Sequence, residues 1–338
     1  MNYKQNFSLL DLNSLKIDEK AAYYCELNDQ EEIQGILEFA KQENLATFFL
    51  GEGTNIVPTK PFDGVIIKNL LKWKKIIDEN TTEVASGENW NDFVAWSLSN
   101  NKFGLENLGL IPGTVGAAPV QNIGAYGSEV SNFIKEIKTF NTFSGKIETL
   151  MAKDCNFDYR TSIFKHRKEL FILSVTFKTM SEPKTNITYQ SLLKSVDQKN
   201  LSKESLSPLD VYDLVCEIRN SVLPDYISYP NVGSFFKNTY IMKDKLDEYT
   251  LNPKTPLFTK DNYIKIPSAY LIESCGWKGK RMGGVGISDK HSLVLVNYEQ
   301  VSGDELLSFA NHLIDDVQRK TNITLEIEPT LIWQNLSQ

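Results

Sequence analysis

A glycine-rich stretch, IPGTVGAAPVQNIGAYG at residues 111–127, constrains the fold of this chain more than any other feature. It contains four glycines, a fifth lies just before it at Gly109, and none of its seventeen positions carries a charged side chain. Glycine lacks a Cβ and accepts positive φ, so such a stretch lets the backbone approach a bound molecule, and adjacent N–H groups on glycine turns form anion-binding concavities. A structural turn is the alternative for any single glycine, but the interiors of helices and strands avoid this many. We therefore expect a loop that contacts a cofactor.

Chain length and charge limit the classes of protein to consider. At 338 residues the chain exceeds the size at which one hydrophobic core usually stops growing, so two or three domains are expected. Its 41% hydrophobic and 23% charged residues are typical of a globular protein. The net charge of -7 argues against a general binder of nucleic acid or of membrane surfaces.

The amino terminus and the cysteines predict neither export nor a metal site. The opening MNYKQNFSLLDLNS has no long apolar segment and no small-residue cleavage site. The apolar runs at 170–177 and 292–297 are strand-sized, well below the roughly 20 residues that a membrane helix needs. Four scattered cysteines form no CxxC pair and show no ligand spacing to the three histidines, so buried reduced thiols and no metal are expected.

Hydrophobic periodicity predicts several α/β units along the chain. The pattern at 29–44 places apolar residues on one helical face and acids in the first turn. A short apolar strand starting at 47 runs into a Gly-x-Gly-Thr-Asn turn. Other helices are predicted at 91–99, 208–221, 269–274 and 304–320. Other strands are predicted at 64–69, 83–87, 134–142, 171–179, 292–297 and 324–333.

Neither glycine-rich segment matches a common nucleotide-binding fingerprint. The turn at 51–55, GEGTN, lacks the third glycine of a Rossmann motif and opens no obvious helix. The stretch at 111–127 lacks the required order of strand, glycines and helix, and no P-loop is present. A nucleotide would have to bind through loops between two small α/β units.

Five motifs occur in a fixed order along nearly the whole chain. They are LGEGTNIV (50–57), IPGTVGAAPVQNIGAYG (111–127), YRTSIFK (159–165), VGSFFKN (232–238) and LEIE (325–328). Together they resemble the UDP-N-acetylenolpyruvoylglucosamine reductases, flavoenzymes of bacterial peptidoglycan precursor synthesis. The resemblance implies an α+β fold, with a vanillyl-alcohol-oxidase type (PCMH-type) FAD-binding domain of two α/β subdomains and a separate α/β substrate-binding domain. The implied boundaries are 1–70 and 71–218 for the FAD subdomains, with a carboxy-terminal strand at 324–338 returning to the site, and 219–323 for the substrate domain.

The resemblance also implies the reaction and the ligands. The expected activity is NADPH-dependent, FAD-mediated reduction of the enolpyruvyl group of UDP-N-acetylglucosamine enolpyruvate to UDP-N-acetylmuramate. FAD is expected to be non-covalent, because neither glycine-rich loop contains a histidine, and NADPH is the implied co-substrate. The expected partner is this small nucleotide sugar, with no nucleic acid and no membrane, and the chain is expected to be a cytoplasmic monomer.

By resemblance, the FAD-binding residues lie in the two glycine-rich segments. Those near the pyrophosphate would be Gly51, Gly53, Thr54 and Asn55. Those along the flavin and the ribityl chain would be Gly113, Thr114, Val115, Gly116, Ala117, Ala118, Ile123, Gly124, Ala125 and Tyr126.

Three catalytic residues are implied in the same way. Arg160 matches the arginine that faces the substrate carboxylate, and a guanidinium fork with a fixed positive charge suits an enolate-like intermediate. Ser234 matches the serine that protonates the carbanion, a transfer favoured in a dry site. Glu328 matches the family glutamate, and alternation in LEIE places it on one face with Glu326. The alternative for Arg160 is an ordinary surface ion pair. The alternatives for Ser234 are a turn-capping residue and a hydrolase nucleophile, the latter less well supported because no GxSxG motif is present.

The implied substrate-binding residues are Tyr189, Lys237, Asn238, Lys278 and His291. Tyr189 lies in a polar insertion that resembles the tyrosine loop of the family's longer class, which closes over substrate. A surface lysine and a capping histidine are equally good interpretations of Lys278 and His291. A basic residue is expected where Val222 stands, and Arg219 is the candidate to replace it.

Two other functions remain open from the sequence. One is a different FAD oxidoreductase of the same fold, which oxidises an alcohol or hydroxy acid with oxygen as the acceptor. The other is a nucleotide-sugar-binding protein that has lost catalysis. The Arg160, Ser234 and Glu328 set argues against both.

Overall fold

The structure is a computed structural model that describes residues 2–332. It divides into two compact units. The first unit comprises residues 2–5, Ala22–Glu52 and Asp63–Ser221. The second unit comprises Asn6–Ala21, Gly53–Phe62 and residues 222–332. The three-part division expected from the sequence stays a prediction, and residues 333–338 of its carboxy-terminal strand lie outside the described residues.

Six α-helices and twenty strands occur within residues 2–332. The helices are α1 (Ile33–Gln42), α2 (Trp90–Ser99), α3 (Gln190–Gln198), α4 (Pro208–Val222), α5 (Ser268–Ser274) and α6 (Gly303–Thr321). The strands of the amino-terminal half are β1 (Lys4–Ser8), β2 (Lys20–Leu27), β3 (Ala46–Leu50), β4 (Ile56–Pro58), β5 (Phe62–Asn69), β6 (Lys74–Asp78), β7 (Thr81–Ala85), β8 (Gly124–Ala125), β9 (Ser128–Glu129), β10 (Ile134–Asn141), β11 (Lys146–Met151) and β12 (Leu170–Lys178). The later strands are β13 (Asn231–Ser234), β14 (Thr239–Met242), β15 (Phe258–Lys260), β16 (Tyr263–Ile266), β17 (Arg281–Met282), β18 (Val285–Ile287), β19 (Val294–Asn297) and β20 (Thr330–Ile332).

The predicted helices correspond to α1, α2, α4, α5 and α6, and most predicted strands are confirmed within a few residues. The strand predicted at 324–333 is wrong over its first half, where only Ile327 forms an isolated bridge and β20 begins after Pro329. Proline has no N–H to donate to a strand ladder, which explains the late start. Trp333, the last residue of that prediction, lies outside the described residues.

The first unit is built mainly on two sheets. One has the strand order β1-β2-β5-β3, with β3 and β5 parallel. The other has the order β11-β10-β12-β7-β6 and is antiparallel throughout. Its central strand β12 is buried over eight of nine residues, which explains the nearly continuous apolar run in the sequence.

A bulge in β12 determines which core each of its side chains joins. Its pairing to β10 skips Leu173, so one extra residue interrupts the alternation of faces. Ile172 and Val175 therefore point into one core with α2 and the glycine-rich stretch. Phe171 and Leu173 point into a second core with α1, β2 and β5.

The second unit gathers three chain segments around one core. Its sheets have the orders β13-β19-β18-β17 and β14-β16-β15, and β4 pairs in parallel with β20. Leu15 and Val57 from the early segments pack with Leu306 and Leu313 of the amphipathic helix α6. Ser302 caps α6, since its hydroxyl accepts the N–H of Glu305.

Candidate active site

The glycine-rich stretch, called the 111–127 loop below, is fixed by its own backbone hydrogen bonds. The N–H groups of Val115 and Gly116 donate to Glu88 O and Ser86 O at 2.9 and 2.8 Å. Those of Ala117 and Ala118 both donate to Thr114 O. The expectation that these N–H groups form a free anion-binding concavity is therefore wrong for 115–118, because the chain itself uses them. Contact with a ligand here would involve side chains, carbonyls and close packing.

Gly116 lacks a side chain for a reason internal to the fold. A Cβ at this position would lie 2.4 Å from Ser86 Cβ and 3.0 Å from Ser86 O. Carbon atoms in contact normally sit about 3.5–4.0 Å apart, so the loop lies against the end of β7 only because residue 116 is glycine.

Glu52 joins the GEGTN turn at 51–55 to the 111–127 loop. One carboxylate oxygen accepts the N–H of Gly113 at 3.0 Å, and the other accepts the Asn89 side-chain amide at 2.7 Å. The neighbouring Gly51 carbonyl accepts from Lys68 Nζ at 2.6 Å. Burial lowers the pKa of Lys68, while the nearby Glu52 charge opposes that shift. The first two residues of the 51–55 turn are thus linked to the 111–127 loop within the first unit.

Glu52 is not among the residues predicted from the sequence. The available signal was that it is the one charged side chain in the turn GEGTN, where a carboxylate has no obvious use beside a pyrophosphate. Its partner Asn89 is 37 positions away, so sequence spacing alone did not connect them.

Arg160 is held by the second half of the 111–127 loop. Its Nη2 donates to Gly124 O at 2.8 Å and its Nη1 donates to Asn122 O at 3.3 Å. Arg160 itself has φ of +53°, an uncommon conformation for a residue with a side chain. Asn122 fastens the same turn, because its amide donates to Asp158 O at 3.2 Å. The structure therefore brings together the predicted carboxylate-binding arginine and the predicted flavin-binding loop.

Tyr126 and Tyr189 also meet. Their ring centroids are 5.6 Å apart at 80°, an edge-to-face contact. Tyr126 has φ of +46°, and its ring packs on a small apolar cluster formed by α3 and α4. Burial raises the pKa of the Tyr126 hydroxyl, and the nearby Arg219 charge opposes that shift. Tyr189 is 45% exposed at the start of α3, so its phenol is accessible to a ligand.

Arg219 lies on α4 beside Tyr126, whereas Val222 is exposed at the end of that helix. Burial lowers the pKa of Arg219, with Tyr126 and Cys216 opposing the shift. In the described part of the chain, Arg219 forms no ion pair and no hydrogen bond. A partly buried cation with a perturbed pKa is a candidate contact for an anionic ligand group.

The second unit brings Ser234 and Glu328 together. An isolated bridge pairs Phe236 with Ile327 in antiparallel fashion, and the N–H of Glu328 donates to Phe235 O at 2.9 Å. Glu328 therefore lies beside the residue that follows Ser234. Within residues 2–332 the Ser234 hydroxyl forms no hydrogen bond, so the turn-capping alternative is not seen.

Lys237 and Asn238 lie on the same short segment. The Lys237 N–H donates to Glu326 O at 2.9 Å, and its ammonium forms an ion pair with the Glu326 carboxylate. Asn238 accepts the N–H of Ser268, the first residue of α5, at 3.3 Å. The Glu326 side chain is 68% exposed and is drawn to Lys237, so the two glutamates of LEIE have different surroundings.

Lys278 and His291 gather around Glu273. Lys278 Nζ lies 3.2 Å from the Glu273 carboxylate, which also accepts the Ser292 hydroxyl at 3.1 Å. His291 Nδ1 accepts the N–H of Leu293 at 3.2 Å. Burial, and secondly the Lys278 charge, lower the pKa of His291, while Glu273 opposes the shift. The structure thus shows both alternatives to ligand binding, an ion-paired Lys278 and a capping His291, and it also places the two residues close together.

The remaining predicted cofactor residues fall in different units. Gly53 has φ of +69°, and a Cβ there would lie 1.9 Å from Leu12 O, so only glycine fits. Within the second unit, Asn55 O accepts the N–H of Thr330, the first residue of β20, at 3.0 Å. Thr54 is partly exposed beside Asn55. In the first unit Ile123 is buried and Ala125 lies in β8.

Residues 2–332 contain neither a membrane-spanning helix nor a cluster of metal-binding side chains. No helix there combines the length and apolarity that crossing a bilayer requires. No group of three or more histidine, cysteine or acidic side chains is arranged to hold a metal ion.

The sequence matches a known family in each unit. Residues 21–150 match the FAD binding domain family. Within the first unit, Glu52 holds the 111–127 loop beside Gly51, so parts of both segments expected to bind this cofactor adjoin. The chain is therefore a flavin-dependent oxidoreductase by class.

The carboxy-terminal part identifies the family within that class. Residues 223–332 match the carboxy-terminal domain of UDP-N-acetylenolpyruvoylglucosamine reductase. A reductase of that name from Flavobacterium johnsoniae is 38% identical over 98% of this chain and 100% of its own length. Another from Paraburkholderia phymatum is 35% identical over 97% of each chain. The chain belongs to the UDP-N-acetylenolpyruvoylglucosamine reductase family.

A solved structure supports the same fold. The crystal structure of UDP-N-acetylenolpyruvylglucosamine reductase from Thermus caldophilus aligns over 98% of each chain with a TM-score of 0.66, at 19% sequence identity. The expected family, fold class, FAD dependence and reductase class are confirmed. The individual site residues and domain boundaries stay predictions.

Proposed function

We propose that this chain reduces the enolpyruvyl group of UDP-N-acetylglucosamine enolpyruvate to UDP-N-acetylmuramate, with NADPH as the electron donor. Membership of the reductase family supports the reaction. The observation that carries the assignment of catalytic residues is the pairing of Phe236 with Ile327, which brings the backbone of Glu328 next to Phe235, the residue after Ser234. FAD, when bound, supplies the hydride.

Arg160 stabilises the charge that develops on the substrate. Hydride arriving at the terminal carbon of the enol ether leaves negative charge on the adjacent carbon and the carboxylate, which a fixed cation stabilises. The carbonyl groups of Asn122 and Gly124 accept hydrogen bonds from the guanidinium and hold it in place. The positive charge is thus positioned before substrate binds.

Ser234 donates the proton to the carbanion carbon. Its hydroxyl has no hydrogen-bond partner within residues 2–332, which leaves its proton available to a ligand. Gly233 before it has φ of +71° and open space around its Cβ position, so a bound molecule can approach the strand end closely. Glu328, next to Phe235 by its backbone hydrogen bond, polarises the carboxylate or returns the proton to Ser234.

The diphosphate and sugar have several candidate partners. Tyr189 offers an accessible phenol, Lys237 a cation and Asn238 an amide. Arg219, which forms no ion pair within residues 2–332, lies near Tyr126 and compensates for Val222 at the position where a basic residue is expected. Lys278 and His291 are further contacts of the nucleotide. We also propose that the protein is a cytoplasmic monomer.

An anaerobic assay in two halves tests the proposal. NADPH should bleach the flavin absorbance of the purified protein, and UDP-N-acetylglucosamine enolpyruvate should then restore it. Failure of the second half alone would refute the substrate. Rapid oxygen consumption with an alcohol or hydroxy acid would favour the oxidase alternative, and absence of bound flavin would favour a binding protein.

The variant Ser234→Ala tests the proton donor. Bleaching by NADPH should remain within about twofold of the parent, whereas reoxidation by substrate should slow by about 10²-fold or more, the range that general acids contribute. Ser308→Ala, on the exposed side of α6 in the same unit, is the matched control and should change neither half. Equal loss in both halves would show that Ser234 has only a structural role.

A further inference from the structure

Asn107 occupies a buried position that the sequence analysis did not single out. It is 1% exposed in a short 3-10 helix, Glu106–Leu108, just before the 111–127 loop. One side-chain N–H donates to Tyr126 O at 3.0 Å and the other donates to Asn186 O at 2.8 Å. Both amide hydrogens are thus used on carbonyls from two distant segments.

These two carbonyls belong to the parts of the first unit that carry the tyrosine pair. Tyr126 is held with φ of +46°, a conformation that a residue with a side chain adopts only when its surroundings impose it. Asn186 begins the turn that leads to Tyr189, since its side-chain oxygen accepts from Thr188 N and Thr188 Oγ1 at 3.2 and 2.8 Å. Asn107 therefore links the backbone of Tyr126 to the segment that leads to Tyr189.

The helix that carries Asn107 is itself rigidly placed. The buried Glu106 carboxylate accepts the N–H of Gly104 at 2.7 Å. The Trp90 indole N–H donates to Leu108 O at 2.8 Å. A donor fixed in this way can set the position of the two segments whose carbonyls it contacts.

We propose that Asn107 is a positioning residue that anchors the Tyr189 segment to the 111–127 loop and thereby sets the edge-to-face contact of Tyr126 and Tyr189. The inference rests on the proposed function, in which Tyr189 contacts the substrate. An asparagine suits this role because one side chain supplies two N–H donors in a fixed plane. Neither serine nor aspartate supplies both.

The test compares Asn107→Asp with the parent holoenzyme. Aspartate keeps the volume but offers oxygens to two carbonyls, so the 186–189 segment should detach. Trypsin should then cleave after the exposed Lys184 about tenfold faster, the scale of one net hydrogen bond. The KM for the nucleotide sugar should rise about tenfold, while bound FAD and the maximal rate at saturating substrate change less than threefold.

Asn297→Asp is the matched control. Asn297 is also fully buried, and its amide also donates to two carbonyls, Leu15 O and Val301 O, but it lies in the second unit. It should lower overall stability without changing cleavage after Lys184 or the KM. If Asn107→Asp yields too little folded protein, Asn107→Ser retains one donor and should give an intermediate effect.

Two results would overturn the proposal. One is unchanged cleavage and unchanged KM in Asn107→Asp. The other is the same KM change in Asn107→Asp and Asn297→Asp, which would indicate general destabilisation. The proteolysis readout does not depend on the reaction, so a failed activity assay in the parent would refute the proposed function and leave the anchor testable.

Discussion

Replacing Gly116 by alanine tests whether the 111–127 loop is shaped by the fold or only by a ligand. The new Cβ would overlap Ser86 Cβ by more than 1 Å, since the two atoms would lie 2.4 Å apart where about 3.5–4.0 Å is normal. Overpacking of this kind costs about 1–3 kcal/mol. Displacement of the loop would also strain the hydrogen bonds of Val115 and Gly116 to Glu88 O and Ser86 O, worth about 0.5–1.5 kcal/mol each.

We therefore expect Gly116→Ala to lower the free energy of unfolding of the first unit by about 2–4 kcal/mol. For a unit of this size that corresponds to a fall of roughly 5–15 °C in Tm. The same substitution at Gly35, an exposed position of α1 with nothing within 4 Å of its Cβ, is the matched control. Gly35→Ala should instead stabilise by about 0.5–1 kcal/mol, because alanine favours helix.

Urea unfolding of the apoprotein, followed by circular dichroism, measures both variants without the contribution of bound flavin. A Gly116→Ala midpoint equal to that of the parent, together with a raised midpoint for Gly35→Ala, would refute the close contact with Ser86. The double variant Ser86→Gly with Gly116→Ala adds a second check. It should recover part of the loss, since removing the Ser86 Cβ removes the worst overlap.

Two further predictions concern charge. In Glu52→Gln, only one of the two N–H donors, those of Gly113 and the Asn89 amide, still finds an acceptor at residue 52. FAD affinity, measured by fluorescence titration, should therefore fall about tenfold. The exposed control Glu182→Gln should leave the affinity unchanged, and equal affinities in the two variants would refute a linking role for Glu52. Burial lowers the pKa of His291 in the folded state, so the unfolded state binds the proton more readily and stability should fall as pH drops below about 6.5 towards the folded pKa. His291→Asn, which still accepts from Leu293, should flatten this dependence in urea titrations at pH 5–8, and an unchanged slope would contradict the assignment.

The sequence predicted features that depend on local patterns. The amphipathic spacing in α1 and α6 and the apolar run of β12 each identified an element near its true bounds. The bulge at Leu173 was not predictable, because both faces of β12 are buried and the alternation that would reveal it is absent. The sequence around Gly116 also could not show why this position is glycine. The space that a side chain would fill is taken by Ser86, thirty positions earlier, and not by a ligand.

The site shows the same limit. Motif resemblance supplied Arg160, Ser234 and Glu328 as candidates, yet the contacts that orient them come from distant residues. Alternation in LEIE placed Glu326 with Glu328, but Lys237, 89 positions away, engages Glu326. No sequence motif singles out Asn107. Its role follows only from the two backbone carbonyls to which its side chain donates.

The parallel pairing of β4 with β20 has a consequence for how the protein is made. Residues 56–58 leave the ribosome long before their strand partners at 330–332 are synthesised. Leu15 and Val57 likewise cannot pack into their core until α6 has been synthesised. At roughly 5–20 residues per second, synthesis of residues 222–332 takes on the order of 5–20 s. The cores of the first unit draw on residues 25–218 and can form in that interval. Nascent chains stalled just after residue 222 has left the ribosome should thus already protect the 111–127 loop from protease while leaving residues 6–21 and 53–62 open to chaperones.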